Sequence, residues 1–273
     1  SFCVAVGGGA FLDAAGLAAA LFHRGVRLVR IPTTALAQCD SGVGVKNAIN
    51  FAGAKNLLGT FAPPWAVLSD ADFLAALPLP LLLDGIAEAV KVAAIKDADF
   101  LRVIERDALK IRRRDLPTIR RILQRCALLH LDHIATSGDP YELGTARPLD
   151  YGHWAAHKLE LMSKHRLSHG HAVAIGIALD AFYAARVGLL PQKEADRLVA
   201  LLRACGLPTF APELSRTDRR GRLAVLAGLE DFRAHLGGEL AVTLPAPFGS
   251  RREIHAVDPA RMAECISALA ARK

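Results

Sequence analysis

A short apolar run, Phe2–Val6, stops on three consecutive glycines, Gly7-Gly8-Gly9, and Ala10–His23 then carries apolar residues at helical spacing. Val26–Ile31 alternates apolar and basic residues as a strand does, and Pro32 closes it. Strand, glycine turn, helix and strand in that order make one βαβ unit, a parallel-sheet building block of about thirty residues. Glycines at that place let backbone approach a pyrophosphate at the helix N-terminus. A plain turn uses the same residues, and the GxGxxG spacing is absent. Asp13, one turn into the helix, suits the positive end of the helix whatever binds there.

The rest of the chain changes character. Trp65–Leu68 is a further strand candidate behind Pro63-Pro64, and Asp40–Gly59 reads as a loose glycine- and asparagine-rich loop. Beyond Asp70 the periodicity is helical over Pro80–Lys96, Leu101–Arg113, Pro117–Ile134, Tyr151–Ser163, His169–Val187, Gln192–Ala204 and Asp258–Ala271. Gly237–Leu244 is the one late strand signal, half of a small hairpin. The expected fold class is α/β plus α, with a Rossmann-type domain over 1–72 and a mostly helical domain over 73–273. A doubly wound nucleotide domain needs two multi-strand halves. Only one βαβ unit is present, and Ser1 already lies on a strand, so the α/β domain is expected to be partial, its N-terminal portion missing.

Composition narrows the function classes. With 52% hydrophobic and 22% charged residues the 273-residue chain can bury a core and is not disordered. No apolar run reaches the roughly 18–20 residues of a membrane span, and Ser1–Val6 lacks the basic segment of a signal peptide. Five scattered cysteines without CxxC spacing point to reduced thiols in a cytoplasm and exclude a thiolate-rich zinc site. The formal charge of +7 favours anionic partners. The basic stretch Arg102–Arg125 has helical spacing and no interleaved aromatics, so it reads as a solvated face; neither nucleic acid nor membrane is expected as a partner.

Two groups of residues could carry chemistry. Asp40–Asn50 together with Lys55 and Asn56 offers lysines, asparagines and glycines that can cradle an anion, and equally describes a solvated loop. His153 and His157, at i and i+4, share a helix face, and His169 opens the next helix. With Glu88 they suit a catalytic Zn²⁺ that keeps an open position; packed or surface histidines give the same spacing. Glu88 and Lys91, at i and i+3, would ordinarily be a surface ion pair. His130, His133, His165, His171 and His255 show no organised spacing and are read as structural.

Taken together, GGGAFLD, FHRGVRLVRIPTTALAQCDSGVGVKNAIN, GAKNLLGTF, GIAEAVK, LDYGHWAAHKLE and LSHGHAVAIG, in this order, resemble the sugar phosphate cyclase superfamily, whose best-known member is 3-dehydroquinate synthase. The resemblance implies that fold, a homodimer, and two cofactors, NAD and one divalent metal, Zn or Co. It implies NAD contacts from Gly7, Gly8, Gly9, Asp13, Thr33, Thr34 and Leu77, with Ala76 standing where a threonine is common. It implies metal ligation by Glu88, His153 and His169. Catalytic and phosphate-handling roles fall to Lys46, Lys55, Asn56, His157, Asp40 and Lys91. Arg24 would reach the partner subunit's phosphate site. Because half of the nucleotide domain is expected to be missing, this 273-residue piece alone is expected to bind NAD weakly or not at all.

Departures from the family refine the substrate. Where dehydroquinate synthases hold a carboxylate with a lysine, an arginine and an asparagine, this chain has Asp132, Ala146 and Asp150. Carboxylates repel a carboxylated substrate but accept hydrogen bonds from hydroxyls. His235 stands near a further phosphate-binding position, and His171 replaces a usual glutamate. SGVGVKN, GTFAPP, ARPLDYGHW and HLGGEL bring the chain nearest to the 2-epi-5-epi-valiolone synthase-like branch of secondary metabolism. A lyase is thus expected that cyclises a heptulose phosphate such as sedoheptulose 7-phosphate: transient oxidation of a ring hydroxyl, β-elimination of phosphate, return of the hydride, and an aldol closure. The alternatives are 3-dehydroquinate synthase itself, a metal-dependent alcohol or glycerol-phosphate dehydrogenase, and a non-catalytic relative.

Overall fold

In the computed structural model, residues 1–52, 54–138, 141 and 148–272 are described. They form two compact units, one of Ser1–Ala89 with Arg114–Leu143, the other of Val90–Arg113 with Gly144–Lys273.

The first unit opens as the sequence predicts. Strand β1 (Phe2–Gly7), helix α1 (Gly9–Leu21) and strand β2 (Arg27–Pro32) form a βαβ unit, with β1 and β2 parallel and Val4 opposite Val29. The helix buries Leu12 and Ala19 against Ala5 and Leu28 of the strands and Ala37 beyond them. A departure follows. Where a loose loop was expected, a π-type turn (Ala37–Ser41) leads into an antiparallel hairpin, β3 (Lys46–Phe51) and β4 (Ala54–Phe61), with Lys46 opposite Phe61. Asparagine and glycine are poor strand formers, so the hairpin depends on ladder pairing that a local reading does not register. Strand β5 (Ala66–Val67) joins β2 in parallel, giving the order β1-β2-β5. Helix α2 (Leu79–Lys96) begins in this unit. Later in the chain, α3 is Ala98–Arg112, and α4 (Leu116–Thr136) returns to the first unit, the Cys126 thiol meeting the Cys39 carbonyl at 3.7 Å.

The second unit is helical. Helices α5 (His153–Met162) and α6 (His169–Arg186) pack side by side, followed by α7 (Gln192–Cys205), α8 (Ala227–His235) and α9 (Pro259–Ala271). Strands β6 (Val242–Pro245) and β7 (Arg251–Ile254) form the late hairpin, with Val242 opposite Ile254. Helix starts follow capping chemistry: Asp97, Asp115, Ser168 and Asp258 each accept a backbone N–H of the first turn. At the α5–α6 crossing the backbones touch. A Cβ on Gly176 would lie 2.0 Å from the Gly152 carbonyl oxygen, and Gly152 sits at φ +79°, where only glycine is unstrained. α6 is buried on every side from Ala172 to Ala184, Asp180 included.

Candidate active site

In the first unit the glycine turn stands where a dinucleotide phosphate would need it. Gly8 precedes α1, the Gly7 carbonyl accepts the Thr33 N–H at 2.9 Å, and a Cβ on Gly8 would meet the Thr34 methyl at 3.1 Å. A Cβ on Gly9 would lie 2.5 Å from Ser41 Oγ, a buried hydroxyl without a hydrogen-bond partner among the described residues. The turn is thus a cradle that side chains would fill, and it fits a pyrophosphate on the α1 N-terminus. Asp13 is pushed up to about 7, chiefly by burial and further by Asp40, with Arg30 opposing. Leu77 lies at the end of a short 3₁₀ turn, its carbonyl accepting a 2.7 Å hydrogen bond from Arg114.

Arg30, one of the basic residues of β2, is completely buried. Its guanidinium donates to the carbonyls of Ser41, Gly42, Gly44 and Lys46 and to Asn47 Oδ1, so it clamps the segment between Asp40 and the hairpin. Gly16 leaves room for this, because a Cβ there would overlap Asn47. His130, read as structural, brings Nδ1 to 3.2 Å from Asp40 Oδ1. Lys46 and Asn56 are exposed at the two ends of the hairpin, with the Asn56 N–H donating to Asn50 Oδ1 at 3.0 Å. Arg24 is exposed at φ +66° and Asp132 is exposed on α4. Glu88 is fully buried on α2, one turn before Lys91 and on the same face, so the two are not the surface ion pair that their spacing alone suggests.

In the second unit three imidazoles converge. Ring centroids lie 5.5 Å apart for His153 and His157, 5.3 Å for His153 and His169, and 6.0 Å for His157 and His169. His153 is held well below the usual histidine range, first by burial and then by the charges of Lys91, His169 and His157. It is therefore neutral, the form that binds a metal. Its Nδ1 stands 3.1 Å from the Tyr151 carbonyl, which can only accept, so Nδ1 carries the proton and Nε2 the lone pair. His169 repeats the pattern, Nδ1 lying 3.2 Å from Glu160 Oε2. An imidazole whose Nδ1–H is anchored to a carbonyl or carboxylate is the arrangement of metal-bound histidine, so these residues fit a divalent ion. Ligand atoms of His157, Glu160 and His169 also lie within 4.8 Å of one another. Asp150 is half-buried in the turn before α5. The side chains of Lys55 and His235, and residue Ala146, lie outside the described residues.

Glu160 and Asp180 were legible only in part. Glu160 continues the His153, His157 series at i+7 on the same face, a signal that could have found it. Asp180 is the only charged residue between His171 and Arg186, and an acid so placed is costly unless partnered.

Residues 1–83 match the family described as 3-dehydroquinate synthase N-terminal, and residues 85–223 the one described as 3-dehydroquinate synthase C-terminal. The chain is 36% identical over 266 residues to a 2-epi-5-epi-valiolone synthase of Actinoplanes sp., covering 95% of this chain and 65% of that protein. Its fold is similar to ValA, a 2-epi-5-epi-valiolone synthase from Streptomyces hygroscopicus subsp. jinggangensis 5008 solved with NAD⁺ and Zn²⁺ bound (TM-score 0.89, 31% identity, 99% of this chain and 73% of that one). It is also similar to a 2-deoxy-scyllo-inosose synthase complexed with carbaglucose-6-phosphate, NAD⁺ and Co²⁺ (TM-score 0.77, 25% identity, 96% of this chain and 72% of that one).

Proposed function

We propose that this chain, which belongs to the 3-dehydroquinate synthase family, is the NAD- and metal-dependent body of a sugar phosphate cyclase. Its substrate is a heptulose 7-phosphate such as sedoheptulose 7-phosphate, closed to a carbocycle with loss of phosphate. The observation that carries this reading is the pair His153 and His169, each with Nδ1–H anchored and the first kept neutral by burial. The relatives named above support it, two of them 2-epi-5-epi-valiolone synthases.

NAD, when bound, supplies a reversible hydride acceptor, and the divalent ion a Lewis acid for neighbouring hydroxyls. The chain's own residues do the rest. Glu88, His153 and His169 hold the ion. Gly7, Gly8 and Gly9 receive the pyrophosphate at the α1 N-terminus, with Asp13, Thr33, Thr34 and Leu77 beside the cofactor. Lys46, Lys55, Asn56 and His157 bind the substrate phosphate and stabilise its charge as it leaves, with His235 as a further contact. Asp40, Lys91, Asp132 and Asp150 orient hydroxyls. The two aspartates favour a polyol over a carboxylated substrate by charge alone.

Arg24, exposed on a turn, serves a partner subunit in a homodimer, and the protein works in the cytoplasm with reduced thiols. Among the described residues no helix is long and apolar enough to cross a membrane. The test is phosphate release, with NAD and Zn²⁺ or Co²⁺ present, from sedoheptulose 7-phosphate and from the dehydroquinate precursor. Release from the first supports the assignment; release from the second alone overturns it.

A further inference from the structure

The two helices that carry the imidazoles hold each other's histidine. We propose that Glu160 and Asp180 are the positioning residues of the metal site, each fixing the ligand borne by the opposite helix. This rests on the metal reading above and goes beyond it, because neither residue is one of the expected ligands.

Glu160 on α5 is buried, and its Oε2 takes the Nδ1–H of His169 on α6 at 3.2 Å. Asp180 on α6 is fully buried and acts in the other direction. Its Oδ2 accepts the Gly152 N–H at 3.0 Å and its Oδ1 the Trp154 indole N–H at 2.8 Å, the residues on either side of His153. The Tyr151 hydroxyl adds a 2.9 Å bond to the Ile177 carbonyl, while the Tyr151 carbonyl takes the His153 Nδ1–H. Each ring is thereby turned so that Nε2 is the coordinating atom, and the gap between α5 and α6 is set by backbone contact at Gly152 and Gly176. Carboxylates behind metal-bound histidines orient the ring and raise its basicity, and their loss costs about 10–100-fold in metal affinity.

Glu160 also lies within reach of a shared ion with His157 and His169, so the experiment must separate a positioning carboxylate from a ligand. The probe is Co²⁺, titrated into the wild-type protein and into Glu160→Gln, Glu160→Met and Asp180→Asn. Apo-protein melting and circular dichroism establish that each variant is folded. A glutamine amide still accepts from Nδ1–H but ligates metal poorly; methionine fills the volume and accepts nothing of use.

The expected result is wild-type affinity within a few-fold for Glu160→Gln and a loss of about 10–100-fold for Glu160→Met and for Asp180→Asn. Equal loss in Glu160→Gln and Glu160→Met would make Glu160 a ligand and overturn the proposal, as would unchanged affinity in Glu160→Met or Asp180→Asn. Should a variant not fold, the Co²⁺-loaded wild-type protein decides. It should show two exchangeable, hyperfine-shifted imidazole N–H resonances, and fewer than two overturns the proposal. If the wild-type protein takes up no Co²⁺ at all, the metal reading itself falls, and this inference with it.

Discussion

The indole N–H of Trp154 on α5 donates to Asp180 on α6 at 2.8 Å, and both residues are buried. Without that donor the carboxylate keeps, among the described residues, the Gly152 N–H alone. Trp154→Phe is therefore expected to destabilise the fold by about 1–3 kcal/mol, the cost of an under-satisfied buried polar group. Chemical denaturation at neutral pH measures it.

Gly176 has no space for a side chain, because the Gly152 carbonyl oxygen occupies the place of its Cβ. Gly176→Ala must push α5 and α6 apart. It is expected to cost at least about 3 kcal/mol, the upper end of ordinary overpacking, and to weaken metal uptake with it. Gly188, at φ +77° with open space around it, is the control. Its alanine variant should lose about 1–2 kcal/mol from backbone strain and leave metal uptake unchanged. Thermal melts and Co²⁺ titration of the two variants make the comparison.

Stability of the apo protein should depend on pH through two opposed groups. His153 has its pKa depressed, mainly by burial, so below about pH 6.5 the unfolded chain takes a proton that the folded one refuses. Stability from this group is lost as pH falls. Asp180 is pushed up to about 7 by burial, so between about pH 4 and 7 the folded protein keeps a proton that the unfolded chain has released. Stability from this group is lost as pH rises, with a slope of about 1.4 kcal/mol per pH unit. Asp180→Asn should therefore steepen the loss on acidification, and His153→Gln should flatten or reverse it. Urea unfolding of the apo proteins between pH 4.5 and 7.5 provides the slopes.

Arg30→Met removes a buried cation from four carbonyls and an asparagine. Leaving buried acceptors without a donor is expected to cost about 1–3 kcal/mol for each and to loosen the segment from Ser41 to Asn47. Hydrogen exchange confined to that segment and the hairpin, read alongside the denaturation midpoint, checks it.

Arg30 also marks where the sequence stops being a guide. A period of two puts Arg30 on the face of the buried Leu28, where a cation has no local partner; the segment from Ser41 to Asn47, distant in sequence, supplies the acceptors around it. Most helix positions were legible because apolar periodicity is local, as for α6 and α9; the short α8 was not among the helices expected. The glycine turn and the His153, His157 spacing were legible for the same reason. Glu160 and Asp180 were legible only in part, since spacing and an apolar setting mark them while their partners lie on the neighbouring helix. The β3–β4 hairpin was hidden for a related reason: its strand character comes from cross-strand pairing of weak strand formers.

The proposed site holds one ion through two imidazole Nε2 atoms. A crystal of the protein grown with Zn²⁺ and measured at the zinc absorption edge tests this directly. The expected result is one anomalous peak at about 2.0–2.1 Å from Nε2 of both His153 and His169, with both Nδ1 atoms on Tyr151 and Glu160. A peak bound through Nδ1, a peak on His157 and Glu160 instead of His153, or no peak at these histidines would contradict it.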